Sequence, residues 1–430
     1  MIVHVDVKGN ILKFQVGSRM LRLGGAVILM QADKIMYYLG NEELHPRPLK
    51  IFDERVMNFL EDLSRTLRKN PQAQKYADII TFAFWIRKRN IQKKKEKYQS
   101  ELIRVGRGIV FHIAPSNIPV NFAFSLVFGL LSGNTNVVRI STKESEQYTI
   151  IMNCMRNVLG SKADYQVVRE NIVVVSYLHD SKITDYFSSI CDIRVVWGGN
   201  ETINEVRKSK LKPKATEVTF ADRYSFSILS VKNILAMDEK QLRKLAKDFY
   251  NDTYLIDQNA CSSPHLIVWK KDKEISKEDC ELAKRVFWNR ISDEAKKWKL
   301  SEMAVMEKYT SACRYAVQKK EVQKLHSYSN RVYVLDLDFV SEETADIRGR
   351  FGLFCQVEIS SYPEILPLFG QDTQTITYQG IDSRELGEFL VEYGVCGVDR
   401  IVPVGKSLDL DLIWDGYDII CSMSRVIWHE

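Results

Sequence analysis

Between residues 109 and 220 the chain repeats one pattern that leaves it few ways to fold. A short apolar run is followed by a turn and then by a segment of helical period. The runs are Ile109 to Ala114, Asn136 to Ser141, Ile172 to Ser176 and Ile193 to Trp197. A strand that is apolar along its length, rather than alternating, is one covered on both faces, and the helices between such strands are the crossovers that parallel pairing requires. Pro115-Ser116-Asn117 turns the chain after the first run. Pro119 sits where a first helical turn tolerates a missing N–H, and Gly133-Asn134 stops that helix. The pattern predicts a parallel α/β sheet.

The flanking segments are read in the same way. Val3, Val5 and Val7, the Gly9-Asn10 turn, and Leu12, Phe14 and Val16 alternate as a β-hairpin does. From Asp53 to about Gln99 apolar residues recur at helical spacing, broken near Pro71, which predicts two helices. A second α/β unit opens near Ser225, with a strand at Phe226 to Val231, a helix from Glu239 to about Ile256, a loop carrying Cys261 and a strand at Leu266 to Trp269. Long helices are expected from Lys277 to Leu325, then strands at Val332 to Leu335 and Phe354 to Ile359. At roughly 150 residues per domain, the 430 residues divide into 1–224, 225–405 and a C-terminal segment 406–430 that packs on the first domain or at an oligomer interface.

Charge and cysteine usage exclude several classes. Net charge is only +6, and the basic run Lys93 to Lys97 ends a helical pattern without interleaved aromatics, so it reads as a solvated helix end and nucleic acid is not expected as a partner. Eight scattered cysteines without a CxxC pair argue for free thiols in a reducing compartment, and the N-terminus lacks the basic start and apolar run of a secretion signal. A cytoplasmic location is expected. The longest apolar stretch, Ile118 to Leu131, is interrupted by Asn121 and falls short of the roughly 20 residues a membrane span needs, which makes it a buried helix. The seven histidines are widely spaced with no i, i+4 pair, so no metal site is expected.

Two phosphate-binding patterns fail on inspection. Gly106-Arg107-Gly108 has Phe111 where a dinucleotide fingerprint needs its last glycine, and Gly405-Lys406-Ser407 has Arg400 where a phosphate loop needs its first. Gly198-Gly199-Asn200, between a strand and a helix, lets backbone N–H groups approach a phosphate or ribose, although a plain tight turn would use the same residues. Cys261 lies in Asp257-Gln-Asn-Ala-Cys-Ser-Ser-Pro264, small and polar, where a carbonyl carbon can reach sulfur; a half-buried structural cysteine is the competing reading.

In order and spacing, Pro115-Ser-Asn-Ile-Pro119, Leu131-Ser-Gly-Asn134, Val137-Val-Arg-Ile-Ser141, Gly198-Gly199 and Asn259-Ala-Cys261 resemble the aldehyde dehydrogenase superfamily. Within it, His112-Ile-Ala-Pro-Ser-Asn-Ile-Pro119, Val196-Trp-Gly-Gly-Asn200, Gly397-Val-Asp-Arg-Ile-Val-Pro-Val-Gly405 and Trp414-Asp-Gly416 resemble the acyl-CoA reductases of the LuxC type. The resemblance implies an aldehyde dehydrogenase-like α/β fold: a Rossmann-like cofactor domain, an α/β catalytic domain, and an active site in the cleft between them. It implies a homo-oligomer, and a separate acyl-protein synthetase as partner.

The resemblance puts Cys261 in the nucleophile's position and Asn117 in that of the oxyanion-stabilising asparagine. It implies cofactor contacts at Ser116, Arg139, Ser141, Gly198 and Gly199, with Glu358 against the nicotinamide ribose. Arg139 stands where most of the superfamily has lysine, and a guanidinium there grips a 2′-phosphate bidentately, which favours NADPH; a solvent-facing arginine at a strand end is the plainer alternative. Hydrolytic members carry a glutamate that activates water, whereas Val218-Thr-Phe-Ala-Asp222 offers none at the matching place, which fits discharge of a thioester by hydride. The expected reaction is therefore NADPH-dependent reduction of an acyl thioester, from acyl-CoA or an acyl carrier, to the aldehyde. A cysteine-dependent acyl transferase and a non-catalytic assembly partner are the alternatives.

Overall fold

In the computed structural model the described residues are 35–430 apart from residue 179, with four short strands before them. Val3–His4 pairs antiparallel with Lys13–Phe14, Val3 opposite Phe14, which is the expected hairpin. Its turn, and Val5, Val7, Leu12 and Val16, lie outside the described residues. Met20–Leu23 pairs antiparallel with Ala26–Leu29. The chain forms two compact units, residues 1–221 with 417–430, and residues 222–416.

The first unit is built on a six-stranded sheet. Its strands are β1 (Met36–Leu39), β2 (Ile109–Ile113), β3 (Thr135–Ile140), β4 (Ile172–Ser176), β5 (Ile193–Trp197) and β6 (Thr216–Phe220). The spatial order is β6-β5-β2-β3-β4-β1, parallel throughout except for β1, which runs antiparallel at the edge. β2, β4 and β5 are buried along their whole length, as the continuous apolar runs require. The stretch 118–131 contains the expected buried helix, Asn121–Leu131. Between Asp53 and Gln99 there are three helices rather than two, Glu54–Lys69, Ala77–Trp85 and Lys88–Glu96. The extra break falls at Arg87, whose extended backbone lets the Lys88 N–H donate to Glu61 at 2.8 Å. After Tyr417 the tail rejoins this unit, where Ser424–Ile427 pairs antiparallel with Ile103–Gly106.

The second unit carries a seven-stranded sheet. In chain order its strands are β7 (Tyr224–Ser230), β8 (Pro264–Lys270), β9 (Val322–Ser329), β10 (Val332–Leu337), β11 (Leu353–Ile359), β12 (Thr373–Gln379) and β13 (Arg400–Pro403). They lie in the order β9-β10-β11-β8-β7-β12-β13, with only β9 antiparallel. Alternate residues feed two cores: Phe226, Ile228, Leu266 and Val268 point to one face, Leu229, Ile267 and Trp269 to the other. The long helices end at Glu294 and Gln318, and Leu325, expected in a helix, is in edge strand β9. Hairpin pairing with β10 decides that segment's conformation over its local period.

One buried side chain unites the second core. Gln356 Oε1 accepts from Trp269 Nε1 at 3.0 Å and from Trp288 Nε1 at 2.7 Å, while its amide donates to Asp336 at 2.5 Å. Gln356→Leu is expected to cost about 1–3 kcal/mol for each orphaned indole N–H. A urea midpoint for this unit equal to the parent's would contradict that.

Candidate active site

In the first sheet the chain proceeds outward from β2 through β3 to β4, then crosses back to place β5 on the other side of β2. Such a reversal opens a crevice beyond the carboxyl ends of the two central strands, the usual ligand position in doubly wound sheets. The residues there are those the sequence singled out. Ser116 and Asn117 follow β2 and are exposed; Gly198 and Gly199 follow β5, Gly199 capping the helix Asn200–Arg207; Arg139 and Ser141 lie at the end of β3. A Cβ on Gly198 would stand 3.1 Å from Thr202, so the turn is tightly fitted there.

A buried polar network joins β2, β3, β5 and the helix Asn121–Leu131. His112 Nε2 meets Asn136 Oδ1 at 3.0 Å and His112 Nδ1 meets Ser125 Oγ at 2.7 Å, while Trp197 Nε1 donates to the same Ser125 Oγ at 2.9 Å. Asn136 Nδ2 donates to Asn134 O at 2.7 Å, which leaves its Oδ1 as the acceptor and puts the imidazole proton on Nε2. Burial pushes the His112 pKa down to about 4, so the ring is neutral, as its two partners require. The two motif residues His112 and Trp197 thus hold the ends of β2 and β5 through one serine.

Arg139 supplies a test of whether a dinucleotide fits. Its guanidinium lies 5.0 Å over the Tyr177 ring, and its Nε is buried without a hydrogen-bond partner. A buried unpaired donor of a permanent cation is costly unless an anion completes it. The residues around the crevice therefore suit an anionic nucleotide.

In the second unit Cys261 precedes β8. Asp257 and Gln258 both adopt left-handed backbone, with φ of 54° and 61°, and turn the chain into the loop. Gln258 clamps it, donating to Pro264 O at 3.2 Å and Leu353 O at 3.0 Å and accepting from Gly352 N at 3.1 Å. Ser225 Oγ donates to Cys261 O at 2.7 Å and accepts from Thr375 N at 3.1 Å, fastening the loop to β7 and β12.

The half-buried Cys261 sulfur accepts from Gln374 Nε2 at 3.3 Å. The same Nε2 donates to the buried Asp415 carboxylate, which faces Arg223 Nε at 3.7 Å. Burial, and secondarily the Asp415 charge, push the thiol up to about 11, against opposing pulls from Gln374 and Arg223. Nearby, Arg400 donates to the carbonyls of Ser407 (2.9 Å) and Lys406 (3.1 Å) and stacks 4.2 Å over Trp414. Asp252, pushed up to about 6 by burial, accepts from Gly405 N at 2.6 Å and Ser407 N at 2.9 Å.

Gln374, Asp415, Arg223 and Arg400 were not among the sequence-derived candidates, although Arg400 and Asp415 belong to tail motifs already noted. Glu358 does not join this group. It sits at the carboxyl end of β11 opposite Trp269, about 17 Å along the sheet from Pro264 at ~3.3 Å per residue. Its carboxylate meets Lys284 Nζ at 2.6 Å and Lys271 Nζ at 3.1 Å.

The fold is that of the aldehyde dehydrogenases. The chain matches a NAD-dependent benzaldehyde dehydrogenase of Corynebacterium glutamicum with a TM-score of 0.57 and 14% identity, over 87% of this chain and 84% of that one. It matches a salicylaldehyde dehydrogenase of Pseudomonas putida G7 with a TM-score of 0.58 and 14% identity, over 87% and 85%. Residues 42–426 match the family model described as acyl-CoA reductase (LuxC), and the chain belongs to that family. A curated relative, the long-chain acyl-protein thioester reductase of Vibrio harveyi, is 26% identical over 170 residues, 39% of this chain and about a third (33%) of that protein. Among the described residues no helix is long and apolar enough to cross a membrane.

With the thiol held up at about 11, iodoacetamide is expected to label Cys261 slowly at pH 7, accelerating about tenfold per pH unit as the thiolate fraction grows. Mass spectrometry of the peptide spanning residues 257–264 measures it. A labelling rate already level by pH 8 would contradict the assignment.

Proposed function

We propose that this protein reduces an acyl thioester to the aldehyde, with Cys261 as the acyl-accepting nucleophile and NADPH as the reductant. The observation that carries the reading is the Cys261 thiol, accessible in part and bonded to an amide donor at the end of a rigid loop, in a chain of the acyl-CoA reductase family. The Cys261 thiolate attacks the thioester carbonyl, the Asn117 amide stabilises the oxyanion, and the donor thiolate leaves, giving an acyl-enzyme. A reduced nicotinamide, when bound, supplies the hydride that releases the acyl group as aldehyde and returns Cys261 as thiolate.

Arg139 pairs with a 2′-phosphate in this reading, and its unpartnered Nε supports that role. Ser116, Ser141, Gly198 and Gly199 line the nucleotide with hydroxyl and backbone N–H groups. Glu358 stands against the nicotinamide ribose in this reading, its carboxylate shared with Lys271 and Lys284. The relative's name supports an acyl-protein donor beside acyl-CoA, and with it a synthetase partner; a homo-oligomer in the cytoplasm completes the proposal.

Purified protein given NADPH and a series of acyl-CoA thioesters is expected to oxidise NADPH and yield trapped aldehyde. Cys261→Ala abolishes this while NADPH binding persists, and full activity in that variant would sink the assignment. Acyl transfer to Cys261 without NADPH oxidation would identify a transferase instead. Asn117→Ala is expected to lower kcat by about 10²–10³. Arg139→Leu is expected to raise KM for NADPH more than KM for NADH; equal changes would remove the 2′-phosphate role.

A further inference from the structure

The tail motifs Gly397-Val-Asp-Arg400 and Trp414-Asp-Gly416 are distant in sequence from Cys261, yet Asp415 reaches its sulfur through Gln374 and Arg400 lies close enough to feel its charge. Gln374, fully buried at the start of β12, has all its polar capacity on that side committed. One amide nitrogen serves both Cys261 Sγ and Asp415 Oδ1, and Oε1 accepts from Thr375 Oγ1 at 3.2 Å. That pattern fixes which end of the amide faces the sulfur.

Asp415 is placed there at a conformational cost. It holds a left-handed backbone with φ of 54°, sparsely populated for a residue with a Cβ, and Gly416 follows at 74°. A Cβ on Gly416 would stand 2.7 Å from Asp399 Oδ1, so the turn is pressed against Asp399. Asp399 in turn pairs with Arg223, which also donates to Gln371 O at 2.8 Å. A buried carboxylate and a half-buried guanidinium therefore stand in one chain of contacts ending at the thiol. Arg400 is a further cation near the sulfur and near Asp415, and its terminal nitrogens donate to the carbonyls of residues 406, 407 and 409.

We propose that Gln374 is the donor that stabilises the Cys261 thiolate, and that Asp415 and Arg223 are positioning residues that bias the sulfur's charge state in opposite directions through the same contact chain. The catalytic meaning rests on Cys261 being the nucleophile; the electrostatic part stands without it. An amide donor stabilises sulfur most when it is charged, a nearby carboxylate disfavours that charge, and the guanidinium favours it. The tail motifs then serve to set how readily the nucleophile ionises.

The experiment is the pH dependence of iodoacetamide labelling of Cys261 in the full-length protein and its variants, each with its melting temperature. Gln374→Met keeps the side chain's shape without its donor and is expected to slow labelling at pH 9 about tenfold. Gln374→Glu should slow it further. Asp415→Asn should quicken labelling, and Arg223→Gln should slow it.

Opposite signs for the last two are the distinguishing result, because loss of a shared structural ion pair would move both alike. Unchanged profiles in both Gln374 variants, or shifts of the same sign for Asp415→Asn and Arg223→Gln, would overturn the proposal. Acyl-CoA reduction tests the underlying reading separately. If Cys261→Ala still reduces substrate, the nucleophile assignment fails while the labelling series still decides the electrostatic one. If Cys261→Ala is inactive, Gln374→Met is expected to move the acid limb of kcat/KM to higher pH with KM for NADPH unchanged.

Discussion

Everything at the thiol depends on the parallel pairing of β7 with β8 on one side and β12 on the other. That pairing brings together Ser225, Pro264 and Thr373, which begin the three strands or stand beside their beginnings. Cys261 and Gln374 are 113 positions apart in the chain, and Gln374 and Asp415 are 41 apart. Both ladders shift register at that end, between Ser225 and Phe226 towards β8 and between Tyr224 and Phe226 towards β12, so that Gln374 and Thr375 fall in an irregular stretch beside the Cys261 loop. Ser225 restrains the Cys261 carbonyl there, since one hydroxyl serves both the Cys261 loop and β12.

The two units use opposite ends of their sheets. In the first, the candidate cofactor residues follow the carboxyl ends of β2, β3 and β5, where the chain's change of direction leaves a crevice. In the second, the thiol, Gln374 and Arg400 lie at the amino ends of β8, β12 and β13. Helix N-termini gather at the carboxyl ends of parallel strands and suit an anion. The half-buried thiol at the amino ends lacks that field. Its ionisation is left to individual side chains, which is why single contacts from Gln374, Asp415 and Arg223 weigh so heavily there.

Both units hold strand ends with buried polar groups bonded to one another. The His112, Ser125, Asn136 and Trp197 network, the Gln356 junction and the Asp252 clamp on residues 405 and 407 each trade solvation for fixed geometry. In a low-dielectric interior such networks are costly if one member is lost. Other buried polar atoms stay unmatched, Thr216 Oγ1, Tyr224 OH and Arg223 Nε among them, and so does Arg139 Nε at the end of β3.

The sequence by itself determined the α/β class, because uninterrupted apolar strands linked by helical segments can be buried only in a doubly covered parallel sheet. It also determined the turns after β2 and β5, since turn chemistry is local: proline, glycine and asparagine declare their backbone needs within a few positions. Local period misled where pairing overrides it, as at Leu325, and where a single backbone contact breaks a helix, as at Arg87. Only the tertiary structure decided that Gln374, Arg223 and Asp415 surround Cys261 and that Glu358 is held by two lysines elsewhere. A buried amide in a strand of threonines carries no periodic signal, and neither does an aspartate in a left-handed turn. Their roles arise from strand order and tertiary contacts between segments 41 to 150 residues apart, which no local preference encodes.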